Sequence, residues 1–278
     1  MSFTKNRTKG IIKLNTKRLL RGGQGAMLKR NRLLCTIVIC TCMLGFVGYE
    51  NSEKFSSEQK ENNTLISDNN SEELAEKTKE HKIKEVIKEE SNDIAKLVNK
   101  EFSLDEGYKP EDLVVPNVRL YCSEKEERSH LRYVAAKALE EMFRAAESEG
   151  MELYLVSAFR SSNYQEGLYN NSLMRKGEEY TNRYIAKPNH SEHQTGLVAD
   201  ISTKGMNYEL EPHFRYTEEG KWLANNAHKY GFILRYKEGR EAETGYSFEP
   251  WHFRYVGKEL SEYVFENNLI LEDLYKIT

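Results

Sequence analysis

Charge and apolar residues are distributed so unevenly along this chain that only one stretch of it can build a core. Residues 1–32 hold ten Lys or Arg and no Asp or Glu. The run from Leu33 to Tyr49 carries no charge, and residues 50–100 are rich in Glu, Lys, Ser and Asn. Aromatic and apolar residues become dense only in residues 101–278, a length that suits a single domain with one core. The formal net charge of −3 conceals this partition.

As a helix, the 17 residues of 33–49 would be about 26 Å long, at the short end for a hydrocarbon core of about 30 Å. A core helix does not belong between a basic tail and a polar linker. A cleaved signal peptide is the closer rival, but no clear small-x-small site follows the run. Residues 33–49 therefore read as a transmembrane signal anchor, with 1–32 as a basic cytoplasmic tail and 50–100 as a polar, partly helical linker. The chain is then expected in the cell membrane, single-pass, with its C-terminal domain extracytoplasmic. Membrane topology accounts for the basic tail, so no nucleic-acid partner is implied. Cys35, Cys40 and Cys42 lie inside the run. Cys122 alone cannot form an internal disulfide, so the exported domain must be stable without one.

Within the linker, Ile83, Val86, Ile87, Ile94, Leu97 and Val98 recur at helical spacing, which suits an amphipathic helix or a solvated spacer. In the domain, a helix is expected from His130 to Glu149, with Ser129 as N-cap and Gly150 just past its end. Glu152–Phe159 reads as a buried strand. Helical stretches follow at Asn163–Arg175 and Glu178–Ile185, then a short strand at Leu197–Ile201. Thr217 can cap a helix running to Tyr230 and stopping at Gly231. Strands at Phe232–Tyr236 and His252–Val256 precede a helical tail. Helices and strands mix without βαβ alternation, so the fold class is α+β.

Two segments carry chemistry: Ser191-Glu192-His193-Gln194-Thr195-Gly196-Leu197-Val198-Ala199-Asp200 and, about fifty residues on, Glu249-Pro250-Trp251-His252. They offer two imidazoles, a carboxylate and a spare carboxylate. Three protein ligands, an open position for water and a base to take the water's proton form the inventory of a catalytic zinc site. Gly196 allows a tight turn between His193 and a strand that returns Asp200 beside it. Pro250 argues against a helix, so a bend must present Glu249 and His252 to one cavity.

These segments resemble the zinc D-alanyl-D-alanine carboxypeptidases of the VanY type, whose pattern S-x-H-x-x-G-x-x-x-D followed by E-x-W-H is matched at Ser191, His193, Gly196, Asp200, Glu249, Trp251 and His252. Ser157 to Gln165 and Trp222 to Tyr236 are also similar to that family, and the resemblance covers roughly residues 95–270. It implies a single compact zinc-peptidase domain with a central, mainly antiparallel sheet flanked by helices. It further implies Zn2+ on His193, Asp200 and His252, Glu249 as general base, and Arg160 stabilising the oxyanion. Gln165 and Ser191 would hold the terminal residue of the peptide, and Trp251 would wall the pocket. Asn189 replaces a glycine common in the family, and Asn tolerates the left-handed conformation.

The expected activity is zinc-dependent hydrolysis of the C-terminal D-alanine from peptidoglycan stem peptides, a D,D-carboxypeptidase with metal-bound water as nucleophile. L,D-carboxypeptidase action on tetrapeptide stems is the alternative, and a non-catalytic wall-binding module is the distant one. No obligate protein partner is implied.

Overall fold

The computed structural model describes residues 77–88 and 94–277. The expected basic tail and anchor lie outside the described residues. Among the described residues, no helix is long and apolar enough to cross a membrane.

The architecture is α+β. The central sheet has four strands in the order β3 (Tyr154–Ser157), β4 (Val198–Ser202), β6 (His252–Tyr255) and β5 (Phe232–Leu234). Every neighbouring pair is antiparallel. β4 and β6 occupy the middle, and every residue of both is buried, so neither keeps a solvent face. A small antiparallel pair, β1 (Leu113–Val114) with β2 (Leu131–Arg132), precedes the sheet.

Helix α2 (Tyr133–Ser148) buries Ala135, Leu139, Met142, Phe143 and Ala146 at helical spacing against the sheet. It begins three residues later than the sequence suggests. Ser129 sits in a 3-10 turn, and Leu131–Arg132 is drawn into strand pairing instead. Helix α3 (Ser162–Tyr184) starts at Ser161, whose Oγ accepts from Tyr164 N, and is broken at Gly177, where φ is +81°. The two expected helices are thus one segment with a kink.

Thr217 caps helix α4 (Glu218–Asn226) through a bond from Gly220 N. A 3-10 turn continues it to Tyr230, and Gly231 stops it at a φ of +87°. A short helix α5 (Glu241–Thr244) precedes β6, and α6 (Lys258–Glu266) and α7 (Leu271–Ile277) close the chain.

A second apolar cluster lies behind β5. Residues 77–88 form helix α1, and its Ile83 and Ile87 pack with Val256, Leu260, Val264 and Leu274. The helical spacing in this part of the linker therefore belongs to an amphipathic helix that docks on the domain. Residues 94–102 follow as an irregular strap. Asn189 adopts φ +65°, the left-handed conformation its side chain tolerates, and its carbonyl accepts from Leu104 N.

Candidate metal centre

Strand register creates this site. In the β4–β6 pair, Asp200 stands directly opposite His252, so the two side chains share one face at close range. On the other side of β4, Asp200 is opposite Ser157, at a register irregularity between Leu155 and Ser157 that bends β3 beside the site. His193 enters from the 3-10 turn Glu192–Thr195, which ends at Gly196 with φ +70°. A Cβ on Gly196 would lie 2.9 Å from Leu113 Cδ2 and 3.0 Å from Arg132 Cγ, so this turn has room for glycine alone.

His193, Asp200 and His252 are all buried, and each offers a ligand atom within 4.8 Å of the others. Hydrogen bonds assign the nitrogens. His193 Nδ1 donates to the Ala158 carbonyl at 2.6 Å, leaving the Nε2 lone pair facing Asp200 Oδ2 at 3.3 Å. His252 Nε2 donates to Glu192 Oε2 at 3.3 Å, leaving Nδ1 facing Asp200 Oδ1 at 3.2 Å. Among the described residues, Asp200 Oδ1 has no hydrogen-bond donor. Two acceptors that close require a proton or a cation between them. This donor set therefore fits a divalent, borderline-soft ion such as zinc, with each imidazole oriented from behind by an oxygen.

Electrostatics agree. Burial lowers His193 to about 4, helped by the Arg160 guanidinium, so its ring is a neutral donor at physiological pH. Burial also disfavours the charge on Asp200, but His193 and His252 outweigh that and hold the carboxyl well below its usual range. Burial opposes charge on His252 too, yet the Asp200 and Glu192 carboxylates beside it raise it to about 9. The anionic surroundings that hold a proton there would equally hold a metal ion in the proton's place.

Glu249 stands alongside, with Oε2 3.6 Å from His252 Nδ1. Burial pushes its carboxyl up to about 7, within the range that serves a general base at neutral pH. Arg160, Gln165 and Ser191 line the same cleft, together with Tyr184, Ile185, Ala186, Tyr236 and Tyr246. Arg160 Nε and Gln165 Oε1 are buried without partners among the described residues, whereas the Gln165 amide nitrogen donates to Ala186 O at 2.8 Å. Trp251 is placed differently from the pocket wall that its motif suggests. It packs into the main core and is not among the residues lining the cleft. A larger cavity of about 410 Å³, lined by Leu223, Phe248 and Phe265 among others, lies away from this cluster.

Sequence reasoning missed the ion network behind the ligands. Glu192 Oε1 accepts from Arg235 Nε at 2.7 Å and Arg254 Nη1 at 2.9 Å. Arg235 reaches on to both oxygens of Glu272, at 2.8 and 2.6 Å. Arg254 Nη2 donates to the carbonyls of Ile94 and Lys96 in the strap, each at 2.9 Å. Both arginines are fully buried, and two Arg balance two Glu. Burial disfavours the Glu192 charge, but the two guanidiniums and His252 hold it far below the usual carboxylate range. Its sequence signal was Arg254 standing alone among the aromatic residues of a wholly buried strand.

Comparison with known proteins places this geometry. A sequence model of the VanY D-alanyl-D-alanine carboxypeptidase family matches residues 128–258. That span holds Arg160, Gln165, Ser191, His193, Asp200, Glu249, Trp251 and His252. The putative carboxypeptidase YodJ of Bacillus subtilis (strain 168) is 44% identical over 192 residues, 69% of this chain and 70% of that protein. The solved LdcB LD-carboxypeptidase is 44% identical and covers 66% of this chain and 85% of its own, with a TM-score of 0.63. A vancomycin-resistance D,D-pentapeptidase VanY variant, solved with Zn(II), is 28% identical at a TM-score of 0.55, covering 66% of this chain and 98% of its own. With its sequence, its sheet and its buried His-Asp-His cluster in agreement, the chain belongs to the VanY D-alanyl-D-alanine carboxypeptidase family.

Proposed function

We propose that this protein is a zinc-dependent carboxypeptidase that removes the terminal D-alanine from peptidoglycan stem peptides. The observation that carries the reading is the convergence of His193, Asp200 and His252 within 4.8 Å, with Glu249 beside them. His193 through Nε2, Asp200 through a carboxylate oxygen and His252 through Nδ1 would hold the ion. When bound, zinc supplies Lewis acidity toward the scissile carbonyl and lowers the pKa of a water at its open position.

The remaining steps belong to side chains. Glu249 takes a proton from the attacking water and returns it to the departing amine of D-alanine. Arg160, a half-buried and permanent cation that lines the cleft, faces the negative charge that develops on the carbonyl oxygen. Gln165 Oε1, with its own amide nitrogen already engaged, accepts a substrate N–H. Ser191 borders the same end of the cleft.

The similarity to LdcB, 44% against 28% for the D,D-pentapeptidase, supports action on tetrapeptide stems, in which an L-configured centre precedes D-alanine. The D,D reading is retained as the second one, because the family model that matches is named for D-alanyl-D-alanine. Residues 33–49 anchor the chain in the membrane with this domain on the wall side, a reading that rests on the basic tail and the uncharged run.

The test incubates the zinc-loaded protein separately with tetrapeptide and pentapeptide stems and follows released D-alanine, with and without a chelator. Chelator-sensitive release from the tetrapeptide alone supports the L,D reading, and release from the pentapeptide alone supports the D,D one. No release from either by folded, zinc-loaded protein sinks the carboxypeptidase reading.

A further inference from the structure

The ion network behind His252 is tied down by two segments that lie outside residues 128–258, the span that the family model matches. One is the strap at 94–102, and the other is α7. Arg254 is where the strap meets the network. Its Nη1 donates to Glu192, its Nε to Tyr255 O at 3.1 Å, and its Nη2 to the carbonyls of Ile94 and Lys96. All three nitrogens are engaged, and the side chain has no access to water. The strap therefore sets the place of this guanidinium as much as Glu192 does.

Helix α7 fixes the strap from its other side. The Tyr275 hydroxyl donates to Ala95 O at 2.8 Å and accepts from Leu97 N at 2.9 Å. The carbonyls of Ile94 and Lys96 thus serve Arg254, while the carbonyl between them serves Tyr275. Ala95 and Leu97 are buried, so water is a poor substitute for this hydroxyl. A second arm runs alongside. Asn99 Nδ2 donates to Glu272 Oε1 at 3.3 Å, Glu272 holds Arg235, and Arg235 Nε donates to Glu192. Both arms leave the strap and end on one carboxylate oxygen. The other oxygen of that carboxylate orients His252 Nε2.

Metal affinity is sensitive to such support. Ligands must be held to within about 0.5 Å, and losing the partner behind an imidazole ligand costs roughly ten- to a hundredfold in affinity. Tyr275 stands further out along the same chain of bonds.

We propose that Tyr275 is a positioning residue for the metal centre, acting through the strap, Arg254 and Glu192 on His252. The segment that leads into the domain is then a working part of the metal centre, and its seating sets how tightly the ion is held. This rests on the zinc part of the proposed function and extends it to regulation of that site.

The test uses the full-length chain. Zinc affinity is read by competition with a chromogenic chelator, and ligand geometry from the visible absorption of the Co(II)-substituted protein. Tyr275→Phe removes one oxygen and keeps the ring. It should weaken zinc binding roughly three- to tenfold, less than the loss of a direct partner, and shift the Co(II) bands. Leu260→Ala, in the same apolar cluster as Ala95 and Leu97 but outside the relay, should lower Tm and leave affinity and bands unchanged. In a Glu192→Gln background, Tyr275→Phe should cost no further affinity, because the path is already cut. Equal losses of affinity in Tyr275→Phe and Leu260→Ala overturn the positioning role, and so does full additivity with Glu192→Gln. Should Glu192→Gln fail to fold, the Co(II) bands decide, and unchanged bands in Tyr275→Phe overturn the proposal. Wild type that binds no zinc overturns the metal reading and this proposal with it. Wild type that binds zinc, with Tyr275→Phe binding it equally well, overturns this proposal alone.

Discussion

Glu249 and Glu192 are both buried carboxylates against His252, yet they face opposite ring nitrogens and are given opposite tasks. Burial dominates at Glu249 and leaves its protonation near balance, as a proton carrier needs. Glu249→Gln should lower kcat about a hundred- to ten-thousandfold while zinc content, measured by atomic absorption, stays the same. Glu192 is fixed as an anion by Arg235 and Arg254. Glu192→Gln leaves two buried guanidiniums short of charge, and urea unfolding should show a loss of about 3–5 kcal/mol. Zinc affinity should fall roughly ten- to a hundredfold, because the support behind His252 is weakened. The pH dependence follows from a folded pKa depressed below the ordinary 4.5. The stabilisation is fully present above about pH 4.5 and is lost as pH falls toward the folded value. Wild type and Glu192→Gln, compared with chelator present, should therefore differ less at pH 3.5 than at pH 7. The ligands themselves were legible because their motif is local. The network was not, since its partners lie 43, 62 and 37 residues apart and leave no periodic trace.

Among the elements, the turn between His193 and β4 is the most exacting. Gly196→Ala would demand a positive φ and push a methyl into Leu113 and Arg132. A cost of about 1–3 kcal/mol is expected, together with weaker zinc binding, because the turn sets where His193 stands relative to Asp200. Thermal melts and zinc titration of the same variant check both. Helices with a capping residue and a terminal glycine were readable in advance: Thr217 caps α4, and Gly231 ends the helical run. The start of α2 was not, because Leu131–Arg132 is claimed by a strand partner almost twenty residues upstream. The kink in α3 was legible as a gap between two helices, since Gly177 interrupts the pattern.

For the whole molecule, a metal ion held by His193, Asp200 and His252 would couple its binding to folding, because these residues come together only in the folded sheet. Zinc at a hundred times its dissociation constant should stabilise the domain by about 2.7 kcal/mol. For a domain of this size that is roughly 5–11 °C in Tm. Scanning calorimetry with a chelator and with added zinc checks the size of the shift. The α+β class was legible from composition and pattern, but the division of the interior into two apolar clusters was not. Nor was how far the linker is drawn into the fold. Ile83 and Ile87 announced a helix, but only the assembled cluster shows what covers it.

The pairing of Asp200 with His252 has one more consequence, which is a matter of parity. Side chains along a strand alternate faces, so sliding β6 by one residue would set Phe253 opposite Asp200 and turn the imidazole to the other face. A half-formed version of this centre therefore does not exist. Each molecule either has its strands in step and can hold an ion at His193, Asp200 and His252, or is out of step and cannot, so zinc capacity at saturation should count the correctly assembled molecules.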